Sequence, residues 1–380
     1  MPPFFDQDHS SLRSRVRAWV DAHLMTTGEP HEVEKAACRL VQQLGAGEFL
    51  AFTIPRRYGG KRDRVQARDL CILREELARG LALADAMFAL QALGSYPVIL
   101  AGSDEQKRRF LARIAAGQAI AAFALTEPEA GSDIASLQTR AIKQDDQYSL
   151  NGTKCFISNA GIASDYVVFA STAPEKKAKG ISAFLVDAKT PGLIVKEKTA
   201  VLSPHPLGVI AFENCLIGAD ALLGAEGEGL NVAYGSLDIL RCTVGAAALG
   251  LAQRALDEAI RHSKARRQFG RAIGEFQGIQ FKLADMATEL EAARLLVYQA
   301  AWSHDCAGPD AKLRSSMAKL YATETGQRII DQALQIHGGV GLVSGSIIER
   351  LYRDIRALRI YEGTSEIQKL IIARELLKKA

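Results

Sequence analysis

The chain has 380 residues, 48% hydrophobic and 24% charged, which places it among ordinary globular proteins and disfavours collagen-like, disordered and membrane-embedded classes. Lys and Arg number 47 against 43 Asp and Glu, a formal charge of +4 with the signs interleaved, so nucleic-acid binding gains no support. At roughly 150 residues per domain, the length predicts two or three units with a large core.

The six cysteines are far apart, with no CxxC pair and no histidine at metal-ligand spacing, which predicts reduced thiols and no metal site. The amino terminus lacks a signal-peptide apolar core, and Asp6 and Asp8 argue against a transit peptide. No stretch approaches the roughly 18 apolar residues of a membrane span. The expectation is a soluble, cytoplasmic protein without membrane insertion.

In chain order, Ser10 to about Gly117 shows apolar residues at three- and four-residue steps, such as Leu70, Leu73 and Leu77, with breakers at Pro55, Gly59-Gly60 and Pro97. That predicts a helical block, with Ser103 capping a helix and Gln106 as its capping-box partner, and helix ends near Gly102 and Gly117. From about Ile120 to Gly224 the texture changes to short β-rich runs at Tyr148–Leu150, Cys155–Ile157, Tyr166–Ala170, Ile181–Val186 and Val209–Phe212. Asn151-Gly152, Pro191-Gly192 and Asn214 read as turns between them, and the close spacing favours a small antiparallel barrel or sandwich. After Gly229 helical periodicity returns over about 230–265, 276–307, 309–337 and 365–379, which describes an antiparallel bundle. The expected fold is therefore mostly α with a central β domain: helical over 1–119, β over 120–228 and a helical bundle over 229–380.

Two segments could carry chemistry. Phe123-Ala-Leu-Thr-Glu-Pro-Glu-Ala-Gly-Ser-Asp133 leads from an apolar run into a turn with two hydroxyls and a glycine that permits close backbone approach. It fits a flat polar ligand, or simply a tight connection. In Ile360-Tyr-Glu-Gly-Thr-Ser-Glu-Ile-Gln368, Thr364 or Ser365 can cap the final helix, and Glu362, if set in an apolar cleft, would have a raised pKa and could act as a general base. No strand is followed by GxGxxG opening a helix, so a Rossmann site is disfavoured.

Taken together, Leu125-Thr-Glu-Pro-x-Ala-Gly-Ser-Asp133, Asn151-Gly-x-Lys154 with Phe156-Ile-Ser-Asn159, Arg266-x-Gln-Phe-Gly270, Gln335-Ile-His-Gly-Gly-x-Gly341, and Arg353-Asp354 followed by Tyr361-Glu-Gly-Thr364 give the chain a clear likeness. It resembles the acyl-CoA dehydrogenases, flavin enzymes that form a trans-2-enoyl thioester from an acyl-CoA. The motifs run in family order over nearly the whole chain.

The resemblance implies FAD as cofactor, Glu362 as the base that takes the α-proton, its backbone N–H together with a flavin ribityl hydroxyl as holders of the thioester carbonyl, and flavin N5 as acceptor of the β-hydride. Phe123, Leu125, Thr126, Gly131, Ser132, Phe156 and Ser158 are implied at the flavin ring, with Phe156 where most relatives have Trp. Arg266, Gln268, Phe269, Gln277, Gln335, Gly338, Gly339, Thr364 and Glu366 are implied at the rest of the cofactor, partly across a subunit boundary. Ser132, Asp238, Arg241 and Gly363 are implied at the substrate, and Met87, Leu90, Tyr96 and Leu240 at the acyl tail. Leucine stands at position 240, where some relatives carry the base, so that role falls on Glu362. Ala200-Val-Leu-Ser-Pro-His-Pro-Leu-Gly208 departs from the Gly-x-Arg segment of many relatives.

By resemblance, the partners are an acyl-CoA, an electron-transfer flavoprotein and further copies of the chain in a homotetramer. The acyl group stays open among short, medium, branched and alicyclic classes. An acyl-CoA oxidase, a flavin monooxygenase or nitroalkane-type oxidase, and a flavin-free scaffold are the alternatives.

Overall fold

Apolar spacing and turn chemistry resolve, in a computed structural model that describes residues 4–378, into two units. One takes residues up to His31, Gln66–Asp85 and Ile239 onward; the other takes Glu32–Val65 and Ala86–Asp238.

In the first unit, α1 (Gln7–His23) opens with a capping box between Asp6 and His9. Leu12, Val16 and Val20 are buried along it, and the helix packs on α3 (Ala67–Gly80). α3 packs on α7 (Gln277–Asp305), α7 on α8 (Ala311–His337), and α8 on both α9 (Ile347–Ala357) and α10 (Ser365–Leu377). The long α6 (Gly229–Ala265) runs close to α3: a Cβ at Gly250 would lie 2.0 Å from the Glu75 carbonyl oxygen. Glu75 is buried, and Arg13 and Arg294 each reach its carboxylate at 3.0 Å. Without those cations a carboxylate would not stay charged at such a position.

The second unit holds α2 (Val33–Ala46), most of α4 (Ala82–Ala101), α5 (Asp104–Ala115) and the strands. Ser103 and Gln106 form the expected capping box on α5. The strands are β1 (Ala121–Ala124), β2 (Arg140–Gln144), β3 (Gln147–Ser158), β4 (Asp165–Ser171), β5 (Ile181–Asp187), β6 (Leu193–Lys198), β7 (Leu207–Gly218) and β8 (Leu222–Leu223). Their order is β6-β7-β3-β2-β4-β5-β8, mostly antiparallel, with β1 added parallel to β4. Leu150, Tyr166, Val168, Phe184 and Phe212 form the core on one side of this sheet.

Several local expectations are corrected. Asn151-Gly152 is not a turn but lies inside β3, and Asn214 lies inside β7. The ladder slips between Leu150 and Gly152, and the Asn151 carboxamide oxygen accepts the N–H of Asn214, which sits at φ 47°. Turn-forming residues here make a β-bulge instead of a chain reversal. Pro97 does not end a helix; it sits inside α4, one turn before its end. The α9 segment had no sequence expectation. The helices after Gly229 otherwise fall close to their expected spans, and Lys379 lies outside the described residues. α4 and α6 also exceed the expected apolar length: both are long and apolar enough to cross a membrane, though most of each apolar stretch is buried within the fold.

Lys154 on β3 is fully buried; its Nζ donates to the Glu127 carboxylate at 2.7 Å and to the Leu125 carbonyl at 3.0 Å. Glu127 also accepts from the N–H groups of Gln138 and Thr139, so one carboxylate closes the 125–139 loop onto the strand. Burial pulls the Lys154 ammonium down to about 8 despite Glu127. Replacing one partner leaves the other charge buried alone, so Lys154→Met is expected to cost about 3–5 kcal/mol. A denaturant midpoint equal to that of the parent would refute this.

Candidate functional site

Glu362 follows the end of α9 in the turn that leads into α10. Its backbone is left-handed, at φ 54°, and Gly363 follows at φ 91°. A non-glycine residue in that region carries strain unless its surroundings hold it there. Here the holding groups can be named. Buried Lys319, on α8, donates to the Tyr361 carbonyl at 3.1 Å and the Gly363 carbonyl at 2.6 Å. The Gln368 carboxamide also donates to the Gly363 carbonyl, at 2.9 Å. Thr364 accepts from the Ile367 N–H as N-cap of α10, and Ser365 Oγ donates to Glu324 at 2.6 Å.

The Glu362 side chain is held in without being engaged. Its Oε2 is buried and has no hydrogen-bond partner. Among the described residues, no acceptor takes its backbone N–H either. Burial raises its pKa above the ordinary carboxylate range, Arg74, Lys319 and Arg241 oppose that, and Asp85 adds to it. Arg74 is itself buried and fixed by two parallel bonds to Asp85, at 2.8 and 2.9 Å, and by a third to Thr243 at 3.0 Å. Burial also draws the Lys319 ammonium down to about 8, against the pull of Glu362. A carboxylate with one free oxygen, beside Arg74 and Lys319 that give their hydrogen bonds elsewhere, can accept a proton from a bound molecule.

Arg74, Asp85 and Lys319 were not singled out from sequence. Arg74 and Lys319 sit among the buried residues of α3 and α8, and Asp85 is buried in the first turn of α4, so a polar residue within an apolar helix is the only signal. Of the implied substrate residues, Gly363 lies in the Glu362 turn, and Arg241 is buried with its charge acting on Glu362 and Lys319. Asp238 belongs to the other unit, as does exposed Ser132. Met87 and Leu240 are both fully buried.

A second cluster lies in the β unit. Phe123 on β1 packs against Phe169, with ring centroids 4.9 Å apart. The Thr126 carbonyl accepts the Cys155 N–H at 3.0 Å, tying the 125–132 loop to β3. There the β3–β7 ladder shifts register between Lys154 and Ile157, and Phe156 sits in it at φ 53° with its side chain 64% exposed. The bulge turns an aromatic face outward where regular pleating would continue. Ser158 is half-buried two residues on, Leu125 is buried, and Gly131 has no atom within 4 Å of where a Cβ would stand.

The third cluster gathers at one end of the α6–α8 bundle. Gln268 lies on β9 (Arg267–Gln268), which pairs with β10 (Arg271–Ala272), Arg266 directly precedes that ribbon, Phe269 lies in its connection, and Gln277 begins α7. Gln335, Gly338 and Gly339 lie at the end of α8, where the His262 and His337 rings stack at 4.4 Å. All these site residues are exposed, Phe269 at 93%. Thr364 and Glu366 sit apart from them, at the start of α10.

Comparison with known proteins gives this arrangement a context. Residues 6–118 match the family of the acyl-CoA dehydrogenase N-terminal domain, 122–215 its middle domain and 227–377 its C-terminal domain. The chain is 40% identical to the 3-(aryl)acrylate reductase of Clostridium sporogenes, covering 99% of this chain and 100% of that one. It is 38% identical to the caffeyl-CoA reductase-Etf complex subunit CarC of Acetobacterium woodii, over 99% and 100%. In structure it matches a glutaryl-CoA dehydrogenase from Mycobacterium smegmatis in complex with FADH2, with a TM-score of 0.90, 30% identity and 99% and 96% coverage. With this likeness running through helical, β and helical segments alike, the chain belongs to the acyl-CoA dehydrogenase family of oxidoreductases.

Proposed function

We propose that the chain is an FAD-dependent enzyme that removes the α-proton and β-hydrogen of an acyl-CoA to give the trans-2-enoyl-CoA, with Glu362 as base. The observation that carries this reading is the half-buried Glu362, whose Oε2 is buried and without a partner, on a strained turn clamped by Lys319 and Gln368. An acid as weak as the α-carbon of a thioester needs a positioned base and a donor for the developing enolate oxygen. Glu362 supplies the first through Oε2, and its unengaged N–H is suited to the second.

The β unit suits FAD: an outward aromatic face at Phe156, hydroxyls at Thr126, Ser132 and Ser158, and open backbone at Gly131 match a flat ring bearing polar edges. Phe123 and Leu125 would back that ring. Arg266, Gln268, Phe269, Gln277, Gln335, Gly338 and Gly339 would hold the cofactor's far end, with Thr364 and Glu366 completing the set. A phenyl ring left 93% exposed at Phe269 supports a site finished by a second copy of the chain, within a homotetramer. When bound, FAD supplies the acceptor for the β-hydrogen and its electron pair. Ser132, Asp238, Arg241 and Gly363 are assigned to the acyl-CoA, an electron-transfer flavoprotein is the redox partner, and the compartment is the cytoplasm. The segments 1–119, 120–228 and 229–380 are its three domains. Two relatives are named as reductases, which favours a second reading: the same chemistry run from enoyl to acyl thioester.

Anaerobic mixing of the FAD-loaded protein with a panel of acyl-CoAs tests the reading. One member should bleach the flavin, and a yellow protein that none bleaches would refute it. Glu362→Gln should keep FAD and bind acyl-CoA but slow bleaching about 10²- to 10⁴-fold; near-parental rates would remove Glu362 from the role. The base works ionised, so the rate should rise with pH through a pKa above the ordinary carboxylate range. Asp85→Asn removes an anion and should move that limb to lower pH, while Arg74→Gln removes a cation and should move it higher. Shifts of the same sign in both variants would contradict this electrostatic account. Gln335→Ala should weaken FAD retention or assembly, and unaltered affinity and oligomeric state would count against its place at the cofactor.

A further inference from the structure

His205 lies in the segment that departs from the family pattern. Its Nε2 is 3.2 Å from Ser158 Oγ, and its Nδ1 is 2.9 Å from the Ser203 carbonyl oxygen. A carbonyl oxygen only accepts, so Nδ1 carries the hydrogen. In the neutral ring Nε2 is then bare and must accept the Ser158 O–H. Burial holds the ring neutral by pushing its pKa below the usual value, against the opposing effect of the Ser203 carbonyl.

The contact is anchored on both sides. Pro204 and Pro206 flank His205 and restrict the backbone there. The Asn159 N–H donates to the Pro206 carbonyl at 2.8 Å, and Ser158 pairs with Leu207 in the β3–β7 ladder. The single hydroxyl hydrogen of Ser158 is therefore committed to His205, and its remaining capacity is to accept.

We propose that His205 is a positioning residue that fixes Ser158 as a hydrogen-bond acceptor toward the flavin ring, so that the protein favours FADH2, whose ring nitrogens carry the hydrogens gained on reduction, over FAD, where the same nitrogens are bare acceptors. The inference rests on the reading above that puts Ser158 at that ring. FAD takes up two electrons and two protons to become FADH2. An acceptor facing a ring nitrogen that gains hydrogen on reduction would match the product, whereas a donor would match the starting form. Ser158 alone could rotate to serve either; the imidazole removes that choice.

The midpoint potential of the FAD-loaded protein tests this at fixed pH, in the parent, His205→Phe, Ser158→Ala and the double variant. His205→Phe should lower the reduced-to-oxidised ratio at a given potential about tenfold, a shift of about 30 mV for a two-electron couple. In the Ser158→Ala background the same substitution should move nothing, because the effect passes through the hydroxyl. No shift in either background, or an equal shift in both, overturns the proposal. A second measurement uses ¹⁵N-histidine-labelled protein: the signal lost in His205→Phe should show a protonated Nδ1 and a bare Nε2, and the opposite tautomer overturns the proposal. A parent that takes up no FAD overturns the proposed function and this inference with it, whereas FAD binding with the wrong potentials or tautomer overturns this inference alone.

Discussion

The first unit is organised around the problem of keeping a carboxylate oxygen out of solvent, near cations and still free to take a proton. Desolvation disfavours its charge. A direct ion pair would restore the charge but occupy the oxygens. In this chain the compensation is indirect: Arg74 gives its hydrogen bonds to Asp85 and Thr243, Lys319 gives two to main-chain carbonyls, and Glu362 Oε2 keeps none. The cations act on Glu362 by charge while their donors are committed elsewhere. The same lysine clamps the turn that holds Glu362 left-handed, so strain and electrostatics are balanced by one side chain.

The β unit solves a related problem with a similar device. Phe156 is also left-handed, and a buried lysine two residues before it, Lys154, ties strand and loop together through Glu127. A buried ion pair contributes little net stability but is costly to break. Its value here is positional, since it fixes the bulge from which Phe156 and Ser158 emerge.

Much of this was legible in the sequence. Three- and four-residue periodicity located the long helices, Ser103-x-x-Gln106 marked a helix start, and the Tyr-Glu-Gly-Thr motif pointed to Glu362. What failed were features set by partners distant in sequence. Asn151-Gly152 has turn chemistry, but pairing with β7 turns it into a bulge. Pro97 has breaker chemistry, yet it falls where only one helical turn remains. Lys319 is 44 residues from the carbonyl it holds, and Arg74 is 169 from Thr243. Periodicity reads such positions as core and cannot say which polar group will meet them. His205 was visible only as part of a departure from the family pattern, because the serine it orients lies 47 residues earlier.

In the proposed reaction the raised pKa of Glu362 would bear on direction as well as rate. A base whose conjugate acid is not too strong can both take the α-proton from an acyl thioester and return it to an enoyl thioester, since both directions share one transition state. Relatives named as reductases and relatives named as dehydrogenases therefore need no difference at this residue. In the proposed reaction the balance between directions falls instead on the electron acceptor, whose potential responds to hydrogen bonds at its ring. On that proposal the Glu362 turn would govern where the proton goes, and the Phe156–Ser158 edge of β3, with His205 behind it, how readily the electrons follow.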